Sequence, residues 1–154
     1  MTFKIKEPRT RGHLANLEKL QRGEALKPPI AELVGFELVE VSLGRSVMTM
    51  QAGHRHANPM GTLHGGIICD IADAAMGMAF ATTLEDDESF TTLDLTAKFF
   101  KPVWNAELRA TATITKRTRS LGLIECEVTD DAQSLVAKIF STCMVLHGDE
   151  AKGR

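Results

Sequence analysis

Two acids, Asp70 and Asp73, stand inside an otherwise apolar run from about Gly65 to Thr83. Just ahead of that run lies a polar loop, Asn58-Pro59-Met60-Gly61-Thr62-Leu63, leading through His64-Gly65-Gly66. If the apolar run is a helix, its first backbone N–H groups have no intrahelical acceptor and face the positive end of the peptide dipoles. A carboxylate further along the same helix could then serve as a base or a nucleophile. Acids in so apolar a helix call for a reason, and this pairing of groups supplies one.

Other elements must position the stretch. Leu14, Leu17 and Leu20 recur every three residues within Thr10–Arg22, which predicts a short amphipathic helix ended by Gly23. Pro28-Pro29 and then Ile30, Leu33 and Val34 predict a further helical turn closed by Gly35. From Phe36 the period changes to two, and a Gly44-Arg45 turn makes residues 36–50 a hairpin. After the central helix, the run Glu85 to Glu88 reads as a solvated turn. Phe90–Phe100, Ala106–Arg117, Leu121–Thr129 and Leu135–Leu146 read as strands, and connections this short imply antiparallel neighbours. The pattern is two strands, one long helix, then four strands. A helix apolar on nearly every side needs a sheet that curls around it, or a second chain over the remaining face; both are expected. An ordinary α+β sandwich would instead predict a one-sided helix.

Composition narrows the function classes. A chain of 154 residues with 44% apolar and 25% charged side chains is of ordinary globular type and suits one core. With 18 basic against 20 acidic residues, nothing favours nucleic acid or an anionic membrane as partner. Cys69, Cys126 and Cys143 have no CxxC spacing, so neither a disulfide framework nor a zinc site is expected. A reducing, cytoplasmic setting follows, and the first residues show no apolar signal segment.

The run Asn58-x-x-Gly61-x-x-His64-Gly65-Gly66, with Asp73 nine positions after the histidine, Thr92-x-Asp94 and Phe99-x-Lys101-Pro102, resembles the PaaI-like branch of the hotdog-fold acyl-CoA thioesterases. The resemblance covers roughly residues 36–146. It implies an α+β hotdog fold, a curled antiparallel sheet of about six strands around one long central helix; the short N-terminal helical segments lie outside the shared pattern. Three regions follow: a helical appendage (1–35), the hotdog domain (36–147) and a polar tail (148–154). It implies hydrolysis of an acyl-CoA, with the Gly65 amide polarising the thioester carbonyl and Asp73 as general base or nucleophile. By the same resemblance, Asn58 and His64 shape the pocket and Thr92 assists the water or the acid; Gly66 and Met60 are candidates against the substrate, though a methionine there could equally fill a core. Neither a cofactor nor a metal is implied, coenzyme A being part of the substrate.

Thioester hydrolysis builds negative charge on the carbonyl oxygen, which an N–H at a helix start is placed to stabilise. Gly65 and Asp73 are eight residues apart, about 12 Å along one helix, so they cannot both touch one carbonyl. They must come from different protomers, which predicts an obligate homodimer, able to pair further into a tetramer.

Blander readings compete at several positions. Asp73 could be a buried acid satisfied by loop amides, and Asp70 matches no family role. His54, His56 and His64 carry a ligand-like spacing without an acidic or cysteine companion, so loop histidines are expected. Asn58 could be a turn residue before Pro59, and Cys69 a small core residue. Lys116, Arg117 and Arg119 could hold coenzyme A phosphates or only be solvated at a hairpin tip, and Lys101 is equally ambiguous. Two rivals to hydrolysis remain: a hotdog hydratase or dehydratase of acyl-CoA or acyl carrier protein, and an acyl-CoA binding module without turnover.

Overall fold

A computed structural model describes residues 5–153, so the outermost residues of the appendage and of the tail lie outside the described residues. The chain opens with helices α1 (Gly12–Gln21) and α2 (Pro29–Val34). Strands β1 (Phe36–Ser42) and β2 (Arg45–Ala52) follow, then a single 3-10 turn (His54–His56) and the long helix α3 (Gly65–Ala81). Strands β3 (Glu88–Phe99), β4 (Ala106–Arg117), β5 (Leu121–Thr129) and β6 (Leu135–His147) complete one antiparallel sheet ordered β1-β2-β4-β5-β6-β3. The sheet curls so that α3 touches all six strands, which is the hotdog arrangement.

The elements start and stop for local reasons. Pro29 opens α2 at a position whose N–H would be unpaired in any case, and Gly35 closes it at φ 91°. In β1, Val39 is an extra residue between Leu38 and Glu40, which pair with Met48 and Val47. This bulge breaks the simple alternation expected for the hairpin, turning Phe36 and Leu38 inward before it and Val41 toward the core after it. The C-terminal end of α3 is held by Thr82, whose hydroxyl donates to Ala79 O at 2.7 Å and accepts from the Gly44 N–H at 2.7 Å. Ile71, Ala72, Ala75, Met76, Ala79 and Phe80 carry α3 into the core.

Three expectations change. The short link at residues 100–105 does not join neighbours, because β3 lies at a sheet edge beyond β6 while β4 pairs with β2 and β5. Extended chain gains about 3.3 Å per residue, enough to cross the roughly 14 Å of three strand spacings at the end of a curled sheet. The acidic run is not merely solvated: Glu85 accepts the N–H groups of Arg9 and Thr10, each at 3.1 Å, and Asp86 accepts that of Gly12 at 2.9 Å. These contacts moor the start of α1 to the far end of α3. The tail, expected only to be polar, begins with structure, Gly148–Ala151 forming a 3-10 turn against β3 and β6.

Candidate active site

His64 precedes α3 with extended backbone, and its Nδ1 accepts the Gly66 N–H at 2.9 Å. The Ile67 N–H bonds His64 O at 3.0 Å. The Gly65 N–H, first in the helix, meets no acceptor among the described residues. It points its unused donor out of the helix end, where an oxyanion would be stabilised. A side chain at Gly65 would lie 3.1 Å from the Phe99 ring, so glycine keeps this approach open.

The loop before it is a self-contained turn built on Asn58. The Asn58 Oδ1 accepts the N–H groups of Met60 (2.9 Å) and Thr62 (3.2 Å), and its Nδ2 donates to Thr62 Oγ1 at 2.9 Å. Asn58 therefore shapes the loop from within, and Gly61 closes the turn at φ 86°. Met60 stands at the loop tip, 82% exposed.

Two turns along α3, Asp73 is half-buried and its Oδ1 accepts from the Thr92 hydroxyl at 3.1 Å. Thr92 owes its direction to a bulge at Leu93, between the pairs Thr92–Cys143 and Asp94–Thr142. Asp94 pins that bulge by accepting both the Thr142 N–H (2.8 Å) and its hydroxyl (3.0 Å). The Thr-x-Asp spacing thus has a mechanical role: one residue faces the helix acid while the other locks the strand. Asp73 and Thr92 open on an apolar cavity of about 340 Å³ walled by Gly77 and Phe90, with Pro28 and Ile30 of the helical appendage. The sequence did not reveal that the appendage lines this cavity, because nothing in its pattern specifies which sheet edge it covers.

Other candidates are accounted for by the fold. Arg117 donates to the Thr83 hydroxyl at 3.1 Å and lies 4.9 Å over the Phe80 ring, and burial lowers the pKa of its guanidinium. Arg119 stays exposed at the β4–β5 turn with Lys116 nearby, both at the end of α3 opposite Gly65. Lys101 pairs with Asp130. His56 is buried, with Nε2 donating to Val34 O at 2.9 Å and Nδ1 accepting the Gly53 N–H at 3.3 Å, tying the loop to α2. Cys69 has its pKa raised by burial and by the nearby Asp70 and Asp73, which keeps it a neutral thiol. Asp70 is exposed on the same helix face as Asp73.

The model of the thioesterase superfamily matches residues 60–137, from the loop tip through α3 into β6. A 1,4-dihydroxy-2-naphthoyl-CoA hydrolase of Listeria monocytogenes is 27% identical over 116 residues, covering 75% of this chain and 93% of that protein. A phenylacetic acid degradation-related protein of Ralstonia eutropha JMP134 is 31% identical, with a TM-score of 0.76 over 83% of this chain and 98% of that one. The PaaI protein of the E. coli phenylacetic acid degradation operon, 20% identical, shares the fold with a TM-score of 0.78 over 87% and 96% of the two chains. With the hotdog sheet, the helix-start amide and the acid at its offset, the chain belongs to the thioesterase superfamily, in its PaaI-like branch.

Proposed function

We propose that the protein hydrolyses acyl-CoA thioesters in a site shared by two copies of the chain. The Gly65 N–H of one protomer polarises the carbonyl, and Asp73 of the partner subunit activates water or attacks the carbon. The C–S bond breaks, water supplies the acid's new oxygen, and the thiolate leaves as coenzyme A after protonation. The observation that carries this reading is one of distance. The unclaimed Gly65 N–H and the Thr92-backed Asp73 sit on one helix, about 12 Å apart along its axis.

A second copy supplies the missing half if two α3 helices run antiparallel about a two-fold axis. The strip of α3 left partly open carries Asp70, Asp73, Ala74, Gly77 and Ala81, so a partner helix over it would roof the apolar cavity that these residues line. Beside it, β3 is a twelve-residue edge strand, and Leu93 and Phe99 on it are each 52% exposed. An apolar edge of this length favours pairing with another strand. In that arrangement one protomer's β4–β5 turn lies toward the outer mouth of its partner's site, which offers Lys116 and Arg119 to the coenzyme A phosphates. Arg117 contributes through the fold, its Nε donating to the Thr83 hydroxyl and its guanidinium lying over the Phe80 ring.

Hydrolysis is favoured over hydration or dehydration by Asp73 and its Thr92 partner, and by the relative that hydrolyses a naphthoyl-CoA. A thiol-release assay across short, long and aromatic acyl-CoAs tests it. Asp73→Asn is expected to lose release by at least about a hundredfold. Equal release by wild type and Asp73→Asn would overturn the assignment, and hydration of an enoyl-CoA without thiol release would favour the rival.

A further inference from the structure

The apolar cavity that starts at Asp73 does not end in solid protein. A second cavity, of about 290 Å³, lies under α1 and α2 and reaches Leu20, Ala31 and Met48. The two share three wall residues, Pro28, Phe36 and Met78. Phe36 is only 2% exposed and locked at the start of β1, and Pro28 is backbone fixed at the entry to α2. Met78 is half-buried, unbranched and outside the fully buried core, so it is the wall that can be trimmed or moved.

The direction of the first cavity relates this wall to the chemistry. Gly77 lies four residues after Asp73, on the same helix face, and a side chain there would come within 3.2 Å of the Phe90 ring. A glycine in mid-helix costs about 1 kcal/mol relative to alanine, and here its absent side chain leaves the channel open beside Asp73. An acyl group whose carbonyl is held at Asp73 thus runs past Gly77 and reaches Met78 after about 7.5 Å of helix axis.

We infer that Met78 sets the acyl-length limit of this enzyme, by closing the cavity at Asp73 off from the second cavity beneath the N-terminal helices. The inference rests on the placement of the thioester carbonyl at Asp73. Short straight chains and single rings end against the Met78 side chain. Removing that side chain joins the two spaces and admits longer chains, whose added methylenes are buried among Leu20, Ala31 and Met48.

The test is equilibrium binding of two non-hydrolysable thioethers, S-hexyl- and S-dodecyl-coenzyme A, to wild type, Met78→Ala, Met78→Phe and the double variant Met78→Ala/Leu20→Phe. The readout is the dodecyl-to-hexyl affinity ratio within each protein, so a general loss of affinity cancels. The ratio is expected to rise about tenfold or more in Met78→Ala, because each newly buried methylene strengthens binding several-fold. It should not rise in Met78→Phe, and it should fall back in the double variant, where the second cavity is filled from its far side. A ratio in Met78→Ala within about twofold of wild type would overturn the inference. So would a wild-type protein that already gains affinity from the longer chain as fully as Met78→Ala does. Affinity needs no turnover, so failure here is distinct from failure of the hydrolase reading, which Asp73→Asn and thiol release decide.

Discussion

Thr92 is the residue whose role separates most cleanly from bulk packing, because its hydroxyl donates to Asp73 at 3.1 Å at the edge of the apolar cavity. Thr92→Val keeps the shape and removes the hydrogen bond, leaving Asp73 free to turn. It is expected to lower kcat by roughly tenfold to a hundredfold, with Thr92→Ser restoring most of it and the far-UV circular dichroism unchanged. An equal loss in Thr92→Ser would show that the methyl, not the hydroxyl, matters. At this scale the sequence offers candidates where chemistry demands a residue type at a fixed offset, as for His64, Gly65, Asp73 and Thr92. It was silent on Phe90, Pro28 and Ile30, since an apolar residue that lines a cavity reads like one that fills a core.

Among the elements, β5 and the N-terminal helices carry constraints that pattern alone conceals. A side chain at Gly122 would fall 2.3 Å from Cε2 of Phe80, a ring that is fully buried and stacked edge-on against Phe90 at 5.5 Å. Gly122→Ala should therefore destabilise the fold by about 1–3 kcal/mol in denaturant unfolding, whereas an unchanged midpoint would mean that Phe80 yields. The mooring of α1 is acid-sensitive. Hydrogen bonds from the Arg9 N–H, and then from Thr10, hold the Glu85 carboxyl down from about 4.5 to about 2. A depressed folded value means that this stabilisation is full above pH 4.5 and is lost as pH falls toward 2. Thermal melts of wild type and Glu85→Gln should differ near neutrality and converge near pH 2; a constant gap would contradict the mooring. Element types and most boundaries could be read from periodicity, but strand order could not. The six residues at 100–105 are as short as a hairpin link yet cross the sheet, because its curl brings the ends of distant strands close.

At the scale of the whole molecule, the single chain holds a helix-start amide and an acid about 12 Å apart on one helix, too far to act on one carbonyl. That separation was legible from counting residues along a helix, while the surface that would bring two copies together became visible only as the open strip of α3 and the edge of β3. Leu93→Lys places a charge on that edge and is expected to weaken self-association in sedimentation, with loss of thiol release in parallel; an active monomer would contradict the shared site. The most direct test mixes two inactive variants. Asp73→Asn removes the acid, and Gly65→Pro removes the helix-start N–H and sets a ring beside Phe99, at the first helical position, where proline is well tolerated, and after an already extended His64. When the two are unfolded and refolded together in equal amounts, mixed dimers carry one intact site, so thiol release should recover to about one quarter of wild type. Release that stays at the level of the separate variants, with mixed dimers demonstrably formed, would mean that Gly65 and Asp73 do not act across the interface.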